Sequence, residues 1–223
     1  MNLARLMLRL PVEWVVPRHL LLRRGPRGCG RVALTFDDGP DPVLTPKVLD
    51  ILDARSVRAT FFMIGREAER HPALVREAVQ RGHLVGNHTY SHGDLVRAAR
   101  RLLHEEIDRG RTVLEDITGT LVAFLRPPRG NMDVRGLVHA IRMGMTVALW
   151  SVDSRDWARN GPESIRQAIR RARVRAGDVL LLHDDYPETV AALPAILGDL
   201  TNSALRTGTI IHLLGKHRNG RRG

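Results

Sequence analysis

From Arg31 onward the chain alternates short apolar runs with longer stretches of helical period, and this rhythm limits the folds open to it. The runs predict strands over Val32–Phe36, Ala59–Ile64, Leu84–Asn87, Leu121–Leu125, Thr146–Ser151, Asp178–His183 and Thr209–Leu214. Between them the spacing predicts helices over Thr45–Ala54, Arg66–Arg81, Leu95–Ile117, Asp133–Met143, Pro162–Arg173 and Glu188–Leu205. Thr45 followed by Pro46 is a helix-start signal, and Gly82 and Gly144 stand where helices should stop. Strands alternating with helices in this way are the pattern of an α/β fold on a parallel sheet. Such a sheet either stays open and doubly wound or curls into an incomplete barrel, and periodicity does not choose between them. No repeat or linker interrupts residues 31–214. The chain therefore reads as one domain with a basic, amphipathic extension at 1–30 and a basic tail at 215–223.

The chemically unusual residues gather at the ends of the predicted strands, the side on which parallel α/β folds place active sites. The first strand ends in Thr35-Phe36-Asp37-Asp38-Gly39-Pro40. Two adjacent carboxylates at the tip of an apolar strand are costly without a compensating cation. A metal would compensate them, although Asp-Gly-Pro is also a good turn sequence. The third strand runs into His88-Thr89-Tyr90-Ser91-His92, and two histidines four apart can face one metal. With Asp38 they make a set of two imidazoles and a carboxylate that leaves positions open for water and substrate, as catalytic metal sites do. The fourth strand ends in Arg126-Pro127-Pro128-Arg129-Gly130, where the prolines either fix the path of a site loop or simply end the strand. The fifth leads to Asp153 and Asp156, which serve a site or cap a loop. The sixth is an apolar strand that delivers His183 at its tip, ahead of Asp184 and Asp185, and is a source for a general acid. His19, His71, His104, His139 and His217 read as structural.

Together these five stretches resemble the polysaccharide deacetylases of carbohydrate esterase family 4. Residues 35–40, 88–92, 126–130, 153–157 and 181–184 follow that family's five motifs in order, and the resemblance covers about residues 31–214. It implies a distorted, incomplete (β/α) barrel of about seven parallel strands, and a metal-dependent hydrolase that removes N-acetyl groups from amino-sugar polymers or oligosaccharides. Asp38, His88 and His92 would hold a divalent metal, usually zinc, with Co2+, Ni2+ or Mn2+ as other candidates. Asp37 would be the general base, and Arg126 the partner that holds it ionised. His183 would be the general acid, oriented by Asp156, with Asp153 the second choice. Leu181 and Trp157 would wall the acetyl pocket. Arg129 departs from the family pattern, which commonly has an aromatic residue there; its backbone N–H would still serve the oxyanion. The glycan, whether chitin oligosaccharide, peptidoglycan or another, stays open.

Composition narrows the alternatives. Cys29 is the single cysteine, so neither an intramolecular disulfide nor a cysteine-based zinc site is available. The net charge of +11 comes almost entirely from arginines scattered along the chain. It leaves room for contact with a membrane surface or an anionic polymer through the basic termini. A nucleic-acid module would interleave aromatic residues with the basic ones, and aromatics are only 4% here, so no nucleic acid is expected. The other readings are an amide or imide hydrolase on the same scaffold and a non-enzymatic polyanion-binding module. No run approaches the ~20 apolar residues of a membrane span. Residues 1–24 lack the apolar stretch and cleavage site of a secretory signal, which favours a cytoplasmic or membrane-surface location.

Overall fold

The computed structural model describes residues 16–158 and 160–214. The basic segments 1–15 and 215–223 lie outside the described residues. Nine short strands form one sheet: β1 (Leu21–Leu22), β2 (Arg31–Asp37), β3 (Thr60–Met63), β4 (Leu84–Asn87), β5 (Phe124–Leu125), β6 (Thr146–Ala148), β7 (Val152–Asp153), β8 (Val179–His183) and β9 (Arg206–Gly208). Among the described residues seven α-helices flank it: α1 (Thr45–Asp53), α2 (Gly65–Arg70), α3 (Pro72–Gln80), α4 (Arg100–Thr118), α5 (Val134–Arg142), α6 (Pro162–Arg171) and α7 (Pro187–Asn202). The strand order is β1-β6-β5-β4-β3-β2-β8-β7, with β9 also on β2, and every ladder is parallel. Helices connect most of the successive strands. The sheet curls without closing: the fold is an incomplete (β/α) barrel.

Because alternate residues of a strand face opposite sides, each strand feeds two cores. Leu34 and Phe36 of β2, with Leu180 and Leu182 of β8, pack outward against the helices. Ala33, Phe62, Phe124, Ala148 and Val179 line the inside of the curl with Leu22, Ile210 and Leu213. Each fully buried Leu, Ile, Val or Phe contributes about 1.5–3 kcal/mol relative to exposure.

Several expected boundaries move, each for a local reason. The helix expected over 66–81 is two helices, because Pro72 disfavours the helical region for His71, which sits at φ −129°, ψ 52°. The helix expected from Leu95 starts only at Arg100. Thr45 lies inside α1 rather than capping it; Asp41 Oδ1 accepts from the Val43 and Leu44 amides instead. The strand expected over 209–214 is a 3₁₀ turn over Ile210–Leu213, and the true last strand, β9, precedes it. Ile210 and Leu213 lie three apart, so one 3₁₀ turn points both into the inner core. The strand expected over 146–151 ends at Ala148, and β7 resumes the sheet's far edge. Leu21–Leu22, assigned in sequence to the N-terminal extension, pairs with Val147–Ala148 of β6. Gly82 and Gly144 do follow helix ends, at φ 81° and 72°. No helix of the described residues is long and apolar enough to cross a membrane.

Candidate active site and metal centre

The inner face of the curl grades from apolar to charged toward the carboxyl ends of the strands. On β2 the inward series is Ala33, Thr35, Asp37; on β8 it is Val179, Leu181, His183. The ladder pairs these rung by rung: Ala33 with Val179, Thr35 with Leu181, Asp37 with His183. Phe124 and Arg126 continue the same face from β5. The period of two thus carries Asp37, Arg126 and His183 to one rim.

Asp38, one residue past β2, and His88 and His92, just past β4, offer three ligand atoms that all lie within 4.8 Å of one another. Asp38 Oδ1 is 3.2 Å from His88 Nε2 and 3.3 Å from His92 Nε2. That oxygen is buried and accepts no hydrogen bond. His88 Nδ1 lies 2.8 Å from the Arg126 carbonyl oxygen, so Nδ1 carries the ring proton and the Nε2 lone pair faces Asp38. One proton could serve one of the two contacts; a single cation serves all three donors. Two imidazole nitrogens and one carboxylate oxygen suit zinc and its neighbours. Burial alone would raise the Asp38 carboxyl, but the neighbouring imidazoles, His88 first and then His92 and His183, bring it down to about 2.

The loops are held at a cost. Asp38, Thr89, His92, Arg129 and Arg155 all have positive φ, between 56° and 75°, which side-chain-bearing residues rarely adopt. Such strain persists where the surroundings fix it, and it collects at functional sites. Asn87 spans the histidine loop and α4: its Nδ2 donates to the Ile107 carbonyl (2.9 Å) and its Oδ1 accepts from the Thr89 amide (2.8 Å). Glu106 of α4 accepts from both the amide and the hydroxyl of Ser91. Gly110 permits this docking, since a Cβ there would strike Asn87 Oδ1. Behind Asp38, the buried Asp184 packs on Gly39 and accepts from the Thr45 hydroxyl.

Two carboxylate pairs flank the trio. Arg126 is wholly buried and stacks on Phe62; its Nη1 donates to Asp37 Oδ1 at 2.6 Å and to Thr35 Oγ1, and its Nε donates to the Ala148 carbonyl. Asp37 Oδ2 is 3.8 Å from His88 Nε2. Across the rim, His183 Nδ1 is 2.7 Å from Asp156 Oδ1. Asp156 also accepts from the His183 amide, the Trp157 amide and the Thr189 hydroxyl. Burial pulls the His183 imidazole down, but the hydrogen bond and charge of Asp156, with Asp37 and Asp38, raise it to about 9. Asp153 takes a different part, accepting from the Arg155 amide.

The sequence profile of the polysaccharide deacetylase family matches residues 24–148. A peptidoglycan-N-acetylglucosamine deacetylase of Bacillus cereus is 38% identical over 208 residues, covering 91% of this chain and 92% of its own. The chain belongs to the polysaccharide deacetylase family. A chitooligosaccharide deacetylase of Sinorhizobium fredii is 41% identical over 189 residues, covering 82% of this chain and 87% of its own. The fold agrees: the structure of the Bc1960 peptidoglycan N-acetylglucosamine deacetylase, in complex with 4-naphthalen-1-yl-N-oxidanyl-benzamide, superposes with a TM-score of 0.85 at 32% identity, covering 91% of this chain and 94% of that one. As a member of carbohydrate esterase family 4 the protein is a polysaccharide N-deacetylase, and metal dependence is a property of that family.

For a polysaccharide deacetylase the remaining candidates fall as follows. Leu181 is buried on the inner face beneath His183, and Trp157 is 55% exposed beside Asp156. Arg129 is exposed on the turn three residues past Arg126. Sequence reasoning gave no role to Asn87, Glu106, Thr189 or Asp184. Their sequence signal is faint: Asn87 and Asp184 adjoin motif histidines, whereas Glu106 and Thr189 matter only once α4 and α7 dock.

Proposed function

We propose that Asp38, His88 and His92 hold a divalent cation, zinc in the first instance, and that this chain uses the site to remove the acetyl group from N-acetylglucosamine units of a glycan. Three convergent ligand atoms, flanked on one side by the Asp37–Arg126 pair and on the other by the His183–Asp156 pair, carry the reading. The glycans named for the two curated relatives above, peptidoglycan and chitooligosaccharide, support an N-acetylated amino sugar as the substrate class.

When bound, the cation supplies Lewis-acid polarisation of the acetyl carbonyl and lowers the pKa of the attacking water. Asp37 takes that water's proton through Oδ2, the oxygen that Arg126 leaves free. The backbone N–H of Arg129 donates to the oxyanion as the tetrahedral centre forms. His183, protonated and held through Nδ1 by Asp156, presents Nε2 to the sugar nitrogen and donates a proton as the C–N bond breaks. The products are acetate and a free sugar amine. Leu181 and Trp157 wall the acetyl group and the ring.

The test is acetate release from N-acetylated chitin oligosaccharides and from peptidoglycan, using protein stripped of metal and then resupplied with zinc. Zinc-dependent release is expected, and the better substrate assigns the glycan. Failure to bind a stoichiometric metal, with no release from either, overturns the proposal.

A further inference from the structure

Outside the reaction centre, α4 and α5 run side by side with a cleft of about 260 Å³ between them, lined by Arg100 and His104 from one helix and by Arg135, Val138, His139 and Arg142 from the other. The charges in this cleft are unevenly compensated. Arg135 is engaged by Asp133 at 2.7 Å and reaches the Ala98 carbonyl, and His139 Nε2 is 2.6 Å from Asp108. Arg100 and Arg142 have no carboxylate partner among the described residues. His104 lies flat on His139, ring centroids 3.8 Å apart, and also feels the charges of those two guanidinium groups and of Asp108. Its pKa is lowered, by burial first and then by the positive charges of His139, Arg100 and Arg142, with Asp108 alone opposing. The potential inside the cleft is therefore positive. The cleft also begins at the first turn of α4, which has no side chain capping its amides. Free N–H groups and the positive end of the helix dipole add to the same potential.

We propose that the α4–α5 cleft is a second binding site, separate from the deacetylase centre, and that it takes a phosphate group. Guanidinium groups approaching from two helices, with an imidazole between them, match a tetrahedral oxyanion with several acceptor oxygens better than they match a planar carboxylate. Val134, 50% exposed, and Val138, 39% exposed, run along one side and suit the organic substituent of a phosphate ester. Seating the anion would relieve the mutual repulsion of Arg100, Arg142 and His104. Phosphate in this form comes free in solution or as a lipid headgroup, and the two sources are separable.

The experiment uses the full, zinc-loaded chain and its R100Q/R142Q variant. Inorganic phosphate is titrated while the histidine side chains are followed by NMR, and binding to phosphatidylglycerol vesicles is compared with binding to phosphatidylcholine vesicles. Saturable shifts at His104 and His139 are expected, with affinity at least roughly tenfold weaker in the variant, the usual worth of a charge-assisted contact. Acetate release by the variant should match the wild type, which keeps this test independent of the catalytic assignment. Vesicle binding that prefers phosphatidylglycerol and is lost in R100Q/R142Q also supports the site and assigns the phosphate to a lipid. Phosphate binding that the variant retains, or shifts confined to His88 and His92, overturns the proposal. So does a wild-type chain that binds neither phosphate nor anionic vesicles.

Discussion

The two carboxylate pairs beside Asp38, His88 and His92 are built alike and differ in one partner. Asp37 is matched with Arg126, Asp156 with His183. Arg126 is fully buried, its guanidinium is held by Thr35, Asp37 and the Ala148 carbonyl, and it has no proton to give at working pH. Asp37 is thus matched to a permanent cation. His183 keeps a partly exposed ring whose proton can leave, and Asp156, buried and bonded four times over, stays fixed beneath it. In the proposed mechanism the same side-chain type, a buried carboxylate, serves as base in one pair and orients an acid in the other. In that mechanism, what separates the two roles is whether the cationic partner can titrate.

Four substitutions probe that contrast. Asp37→Asn removes the acceptor while leaving shape and the metal ligands, so acetate release should vanish while zinc stays bound; turnover near wild type would end the assignment of the base. Next comes His183→Ala, expected to lower kcat by about 10²–10⁴-fold, and a single-turnover assay showing less would point to another proton donor. Asp156→Asn should act mainly on the pH profile. With His183 raised to about 9, the acid is loaded below that value and kcat falls as pH rises through it; a bound cation's charge draws the limb lower. Removing Asp156 leaves burial unopposed by its largest counterweight, so the alkaline limb should move toward or below the ordinary value of 6.5. An unmoved limb would separate the profile from His183. The smallest effect is expected from Arg129→Gln, which keeps the backbone N–H and so should leave kcat within about threefold. Any change there should fall on KM.

Much of this site was legible in the sequence because catalytic groups sit at strand tips, where the apolar period of two breaks into charge. Asp37, Asp38, His88, Arg126 and His183 interrupt or directly follow such runs, and Asp156 stands three residues past the end of β7. The fold class followed from the same rhythm. Contacts formed only by tertiary docking left no such trace. Leu21–Leu22 is too short to show a period, and its partner Val147–Ala148 lies 126 residues away. The Ile210–Leu213 run fits strand and 3₁₀ turn equally until Gly208 and Thr209 end the ladder. Glu106 reads as one more charge on an amphipathic helix, yet it holds the loop that carries His92. Positive φ at Asp38, Thr89 and His92 was equally hidden, since none is glycine.

The most direct test of the account is zinc content and acetate release measured side by side on the wild type and on Asp38→Ala, His88→Ala and His92→Ala. The account predicts one zinc per wild-type chain, and a joint loss of metal and activity in each variant with the fold retained by circular dichroism. A folded His88→Ala protein that still binds zinc and releases acetate at the wild-type rate would contradict it.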